Sequence, residues 1–239
     1  MTAIITQARV NSSRLPNKIF KKAKNISFLE HHIARLKETG LKIIVATTND
    51  GSEKPILDFC KKNCLDFYRG DENNVLKRFY ECAKEFGVTT IIRVTSDCPL
   101  IDGQIIKNAL KKFKSYDNDN VYYSNCLIRS YPRGMDYEIF SFKLLENAFF
   151  NAEELSDLEH VTPYIWNNRS ENVRRKNDVC ETDSSDLRIT LDTSEDQLLI
   201  STLIENFDAD TLNCAGMIKV LRGHPDLVEI NKTIEQKKI

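Results

Sequence analysis

Apolar positions in the first half of the chain alternate between two periods. Short runs rich in β-branched residues predict strands over 3–6, 42–47, 66–69, 89–95 and 121–124. Between them, apolar residues at helical spacing predict helices over 27–39, 54–63, 74–86 and 102–114. Phe28, Leu29, His32, Ile33 and Leu36 mark the first helical face, and Gly40 and Gly87 stand where helices stop. Pro55 falls in a first turn, which tolerates its missing N–H. Strands alternating with helices of this length predict βαβ units and a mostly parallel sheet with helices on both faces, an α/β fold. The pattern loosens after Asn125. Residues 126–142 mix polar and aromatic side chains with Pro132 and Gly134, and 168–187 are charged without long apolar runs. Helices are predicted over 142–151 and 160–167, a strand over 187–192 and a capped helix over 194–206. The tail holds an apolar stretch at 216–221 and a turn at His224-Pro225 between short helices.

A chain of 239 residues suits one large α/β domain with a small appendage, divided here as 1–210 and a helical extension over 211–239. A net charge of −1 argues against a nucleic-acid partner, which needs a basic face. No apolar run approaches the roughly 18 residues of a membrane span, and the N-terminus lacks a signal pattern. Seven cysteines without a CxxC pair are expected to be reduced thiols in a cytoplasmic protein. Cys60 and Cys64 lie four apart, but no His or Cys pair follows to complete a metal site.

Candidate chemistry begins at Thr6–Lys18. This polar loop follows the first predicted strand and carries Arg9, Arg14 and Lys18. An open α/β sheet places its ligand at the carboxyl ends of its strands, and three cations suit a nucleoside triphosphate. A solvated basic turn fits the loop equally well. Asp97 and Asp192 each end a predicted strand. Either one alone is as readily a turn or helix cap as a metal ligand. Together, facing three cations, they call for a linker, and Mg²⁺ carrying a triphosphate supplies one.

Seven blocks resemble, in order, the cytidylyltransferase family: Gln7-Ala-Arg-Val-Asn-Ser-Ser-Arg-Leu-Pro-Asn-Lys18; Ala46-Thr-Thr48; Phe67-Tyr-Arg-Gly-Asp71 with Val75-Leu-Lys-Arg78; Arg93-Val-Thr-Ser-Asp-Cys-Pro-Leu-Ile-Asp102; Tyr131-Pro-Arg-Gly-Met-Asp-Tyr-Glu138; Glu159-His-Val-Thr-Pro163; and Leu191-Asp-Thr-Ser-Glu-Asp196. They span roughly residues 3–205 and match best the branch of the spore-coat polysaccharide F-like proteins, related to the CMP-Kdo and CMP-acylneuraminate synthetases. The resemblance implies a nucleotide-diphospho-sugar transferase-like fold and the reaction CTP plus sugar giving CMP-sugar plus pyrophosphate. It implies nucleotide contacts at Gln7, Ala8, Arg9, Ser13, Arg14, Lys18, Arg69 and Thr95, with Arg9 and Lys18 catalytic. Asp97 and Asp192 become catalytic Mg²⁺ ligands. Arg78, Arg129, Tyr131, Arg133, Asp136, Glu138 and His160 fall on the acceptor side, and 126–180 becomes an acceptor and homodimerisation segment.

Arg129 and Arg133 suit a sugar carboxylate or a phosphate, and a solvated loop accounts for them as well. His160 fits a sugar contact, a base or simple packing against Tyr164. The expected acceptor is an acidic 2-keto sugar for a bacterial surface glycan; the alternatives are a phosphorylated acceptor or a non-catalytic nucleotide-binding protein. Asn11, Asn17 and Ser96 stand where the family usually has glycine. Asn is the next most tolerant residue of left-handed backbone, so activity is expected to be kept.

Overall fold

A computed structural model describes residues 1–12 and 14–236. Its elements are β1 (Thr2–Gln7), a 3₁₀ turn (Lys18–Phe20), the short strands β2 (Lys22–Ala23) and β3 (Ile26–Ser27), α1 (Phe28–Lys37), β4 (Lys42–Thr48), α2 (Lys54–Lys62), β5 (Asp66–Gly70), α3 (Val75–Glu85), β6 (Thr90–Thr95), α4 (Gly103–Ser115) and β7 (Val121–Ser124). There follow β8 (Glu138–Ser141), α5 (Phe142–Asn151), α6 (Leu155–His160), α7 (Pro163–Trp166), β9 (Arg174–Asn177), α8 (Ser194–Phe207), α9 (Cys214–Gly223) and α10 (Pro225–Glu229).

Seven strands form one sheet in the order β5-β4-β1-β6-β8-β7-β9. β8 alone runs against its neighbours. β1 sits centrally, pairing in parallel with β4 and β6. Successive side chains of a strand face opposite sides, so both sheet faces are apolar. Ile4, Val45, Ile92 and Val94 pack with Leu29, Ile33, Ile56 and Ile106 of α1, α2 and α4. Ala3, Ile5, Ile44 and Ile91 pack with Leu76, Phe79, Leu145 and Ala148 of α3 and α5. A third core joins Leu187, Ile189 and Leu191 to Leu199 and Leu203 of α8 and to Met217 and Leu221 of α9, so the tail shares a core with the body of the protein. Ser27 and Glu30 close a reciprocal cap on α1, and Thr193 and Asp196 do the same on α8.

Two predicted elements need correction, and two strands were not predicted. Residues 187–192 are extended but lie outside the sheet. The Ile189 and Leu191 amides donate to the carbonyls of Arg133 and Asp97, which belong to loops and offer no continuous ladder. The predicted helix over 160–167 is two short helices. Val161 breaks it at φ 72°, and Pro163 opens α7 in the first turn, where its missing N–H is tolerated. β8 and β9 were not expected. β8 has four residues inside a polar stretch, and Arg-Arg-Lys-Asn of β9 has no apolar residue to signal a strand. A charged edge strand guards against stray pairing.

Candidate active site

The carboxyl ends of β1, β4, β5 and β6 open on one edge of the sheet, and most predicted site residues collect there. Gln7 is the last residue of β1 and pairs in register with Thr95, the last of β6. The loop after β1 turns back through Asn17, whose φ of 54° and ψ of 27° are left-handed. Asn thus takes the conformation that glycine otherwise supplies. Asn11 is not left-handed; its amide donates to Asp50 Oδ2 at 3.2 Å and anchors the loop to the end of β4. Ser13 lies outside the described residues.

The turn at Asn17 delivers Lys18 between the two predicted aspartates. Its Nζ is 2.9 Å from Asp192 Oδ1 and 3.5 Å from Asp97 Oδ2, and it also donates to the Leu191 carbonyl at 2.8 Å. Arg14 reaches the other oxygen of Asp192 at 3.2 Å. Burial opposes charge on Lys18, but the two carboxylates outweigh it and raise its pKa. For Asp97 burial likewise opposes ionisation. The Lys18 ammonium and bonds from Thr95 and Cys98 prevail, holding its carboxyl below the usual range. Beneath this loop the buried His32 bonds Cys98 O and Thr6 Oγ1, each at 2.9 Å. With a carbonyl at Nδ1, that nitrogen carries the hydrogen and Nε2 accepts from Thr6.

No group of three or more His, Cys, Asp or Glu that could hold a metal ion is found among the described residues; Asp97 and Asp192 are a pair of carboxylates on one ammonium. Two carboxylates suit Mg²⁺, which is commonly held by one or two of them while water and phosphate oxygens complete its shell.

On the β5 side, Arg9 is exposed and Arg78 is buried. Arg78 donates to the Asp71 carbonyl at 2.6 Å, and its Nε has no partner among the described residues. Burial, then the nearby Arg9, lowers its pKa to about 10. Arg69 is held by the buried Glu53.

On the β8 side, Arg129 and Asp136 form a two-pronged ion pair at 2.6 and 2.9 Å. Tyr131 points its hydroxyl at the buried Asp178, 3.4 Å away. Asp178 also accepts from Tyr123, Tyr137 and Lys112, which ties β9 to the sheet. Arg133 lines a cavity of about 220 Å³ shared with Arg188, Asn231 and Gln236. His160 ends α6, and Ala8 is buried behind β1.

Sequence reasoning missed Arg93. It joins the two sides by donating to Glu138 at 3.1 Å and Gln7 at 3.2 Å. A cation inside the run Thr-Ile-Ile-Arg-Val-Thr of β6 was the available signal. Arg188 and Asp196, which brace Asp192, were missed as well.

The family model described as cytidylyltransferase matches residues 3–238. The chain is 30% identical to a solved cytidylyltransferase from Leptospira borgpetersenii, covering 98% of this chain and 99% of that one with a TM-score of 0.90. It is 26% identical to the spore coat polysaccharide biosynthesis protein SpsF of Bacillus subtilis, over 93% of this chain and 94% of the relative. Its fold also matches the CMP-2-keto-3-deoxy-manno-octonic acid synthetase solved with CTP, at TM-score 0.61 and 16% identity over 85% and 98% of the two chains. The chain belongs to the cytidylyltransferase family, in the branch related to the spore-coat and CMP-Kdo enzymes, and has the nucleotide-diphospho-sugar transferase-like fold. It is a nucleotidyltransferase.

Proposed function

We propose that this protein transfers CMP from CTP to an acidic 2-keto sugar, with release of pyrophosphate, as a step toward a bacterial surface glycan. The observation that carries the reading is the convergence of Asp97 and Asp192 on Lys18 at the carboxyl edge of the sheet. CTP in the related synthetase and the spore-coat role of SpsF support the nucleotide and the product class.

Asp97 and Asp192 would hold Mg²⁺, which supplies Lewis-acid polarisation of the phosphates and of the acceptor hydroxyl. The acceptor hydroxyl oxygen bonds to the α-phosphorus in line, releasing its proton to water, as the bond to pyrophosphate breaks. Negative charge gathers on the leaving oxygen, where Lys18, Arg14 and Arg9 would neutralise it. Gln7, Thr95 and Arg69 border the nucleotide. Arg78 is buried, has no ion-paired carboxylate among the described residues and lies beside Arg9, so we move it from the expected acceptor side to the nucleotide end of the cleft.

Charge arithmetic on the other side favours a carboxylate acceptor over a phosphate. Asp136 already neutralises Arg129, and Arg93 neutralises Glu138, leaving Arg133 as the cation to pair with a monoanion. Tyr131 and His160 would frame the sugar. The homodimer contact is assigned to 126–180, where Ile128, Leu155 and Val179 are exposed apolar side chains. No helix among the described residues is long and apolar enough to cross a membrane; CTP and Mg²⁺ as substrate and cofactor fit a cytoplasmic setting.

Pyrophosphate release from CTP and Mg²⁺, assayed with Kdo, nonulosonates and sugar 1-phosphates, tests the proposal. Turnover with an acidic 2-keto sugar is expected. Turnover with sugar phosphates alone would replace the acceptor class, and CTP binding without turnover on any acceptor would leave a nucleotide-binding protein.

A further inference from the structure

The tail that reads as a packing extension reaches the site through a connected set of hydrogen bonds. Asn231, 3% exposed, follows α10. Its amide donates to Asp196 Oδ1 at 2.8 Å and to the Arg188 carbonyl at 3.2 Å. Asp196 is fully buried, and its Oδ2 accepts the backbone amides of Asp192 and Thr193 at 3.0 and 3.1 Å. Arg188 grips both oxygens of Asp196 at 2.8 Å and touches Asp192 Oδ2 at 3.3 Å. A fourth bond runs from Arg188 to Gln236 Oε1 at 2.7 Å.

We infer that the C-terminal segment 225–236 is part of the active-site scaffold, with Asn231 a positioning residue that fixes Asp192 through Asp196 and Arg188. The inference rests on the proposed metal-and-CTP reading of Asp97 and Asp192. The physical reason is that residues 187–192 have no place in the sheet. An extended segment paired with loops takes its rigidity from side chains, and Asp196 fixes the backbone of Asp192 directly. Asn231 in turn supplies a donor that holds the Asp196 carboxylate in one rotamer. Partners that orient a metal-binding carboxylate typically change metal affinity about 10- to 100-fold when removed.

The test is Mn²⁺ binding to the full chain in the presence of CTP, followed by electron paramagnetic resonance, with CTP affinity in the absence of metal and the melting temperature recorded alongside. Asn231→Ala is expected to weaken Mn²⁺ binding about 10-fold, to leave metal-free CTP affinity within about twofold, and to speed hydrogen exchange at the Asp192 and Thr193 amides. Lys232→Ala, on the same segment but paired with Glu229 in solvent, is the control and should match the parent protein. Equal Mn²⁺ affinity in Asn231→Ala and parent overturns the inference while leaving the proposed function standing. Absence of Mn²⁺ binding by the parent with CTP overturns both. Should Asn231→Ala fail to fold, the exposed Gln236→Ala decides: a measurable loss of Mn²⁺ affinity supports the relay, and none overturns it.

Discussion

The Lys18 ammonium donates to Asp192 at 2.9 Å, from the place between two carboxylates where a divalent ion would sit. It therefore serves as an internal counter-ion to both carboxylates, and a metal entering alone would have to displace it. A triphosphate offers Lys18 another partner, so metal and nucleotide should bind together. Lys18→Met is expected to raise affinity for Mn²⁺ without nucleotide, measured by calorimetry, because Asp97 loses its cation while Asp192 keeps only Arg14 and Arg188. The same change should lower kcat by about 10²-fold or more, since a preorganised cation is lost. Tighter CTP turnover or unchanged metal binding would show that the ammonium is not competing for the site.

Asp97 and Asp192 reach the same Lys18 ammonium from different parts of the fold. Asp97→Ala and Asp192→Ala should each reduce pyrophosphate release about 10³-fold or more. The two changes should differ in stability. Asp192 holds Lys18, Arg14 and Arg188, whereas the carboxylate of Asp97 answers chiefly to Lys18. Thermal melting is expected to fall further for Asp192→Ala than for Asp97→Ala.

These residues were legible because the features that mark them are local. Lys18 and Asp97 follow apolar β-branched runs, and an open sheet gathers such positions at one edge. Asp192 follows the run Leu-Arg-Ile-Thr-Leu, which misled in one respect: its apolar residues serve a third core, and its backbone partners are loops that no periodicity predicts. Arg93 announced itself as a charge in a buried strand, but its partners Gln7 and Glu138 arrive from distant segments. Asn231 and Asp196 carried no such mark. One lies in the tail and the other only closes the last of the seven blocks, and the folded chain brings both onto Arg188. β9 was hidden for the opposite reason, since its stability comes from neighbours such as Asp178 rather than from its own side chains.

His32 gives stability a pH dependence with a definite sign. Burial lowers its pKa from 6.5 to about 4, against the pull of the Cys98 carbonyl and Asp97. The folded state thus keeps it neutral where the unfolded chain binds a proton. Between pH 6.5 and 4 the unfolded state holds more protons, so stability rises with pH across that window and falls on acidification. The loss attributable to this group is about 2 kcal/mol by pH 5. Urea denaturation at pH 7 and pH 5 should show it. His32→Asn should be less stable at pH 7 yet lose less between the two pH values. A slope identical to the parent's would assign the acid sensitivity to other groups.

Gly134 sets the distance between the acceptor-side loop and the segment that carries Asp192. Its φ is 107°, a backbone that side chains resist, and a β-carbon there would stand 2.5 Å from the Ile189 carbonyl oxygen. That carbonyl belongs to the backbone of a segment paired with Arg133 on one side and Asp97 on the other, so it has little freedom to retreat. Gly134→Ala is therefore expected to cost about 3 kcal/mol in denaturant unfolding. The displacement should pass along 189–192 to the carboxylate, lowering kcat about 10- to 100-fold, because small misplacements of a catalytic group are expensive. CTP affinity without metal depends on the other end of the cleft and should hold within about twofold. A variant that melts early but turns over normally at low temperature would show that the glycine serves packing alone.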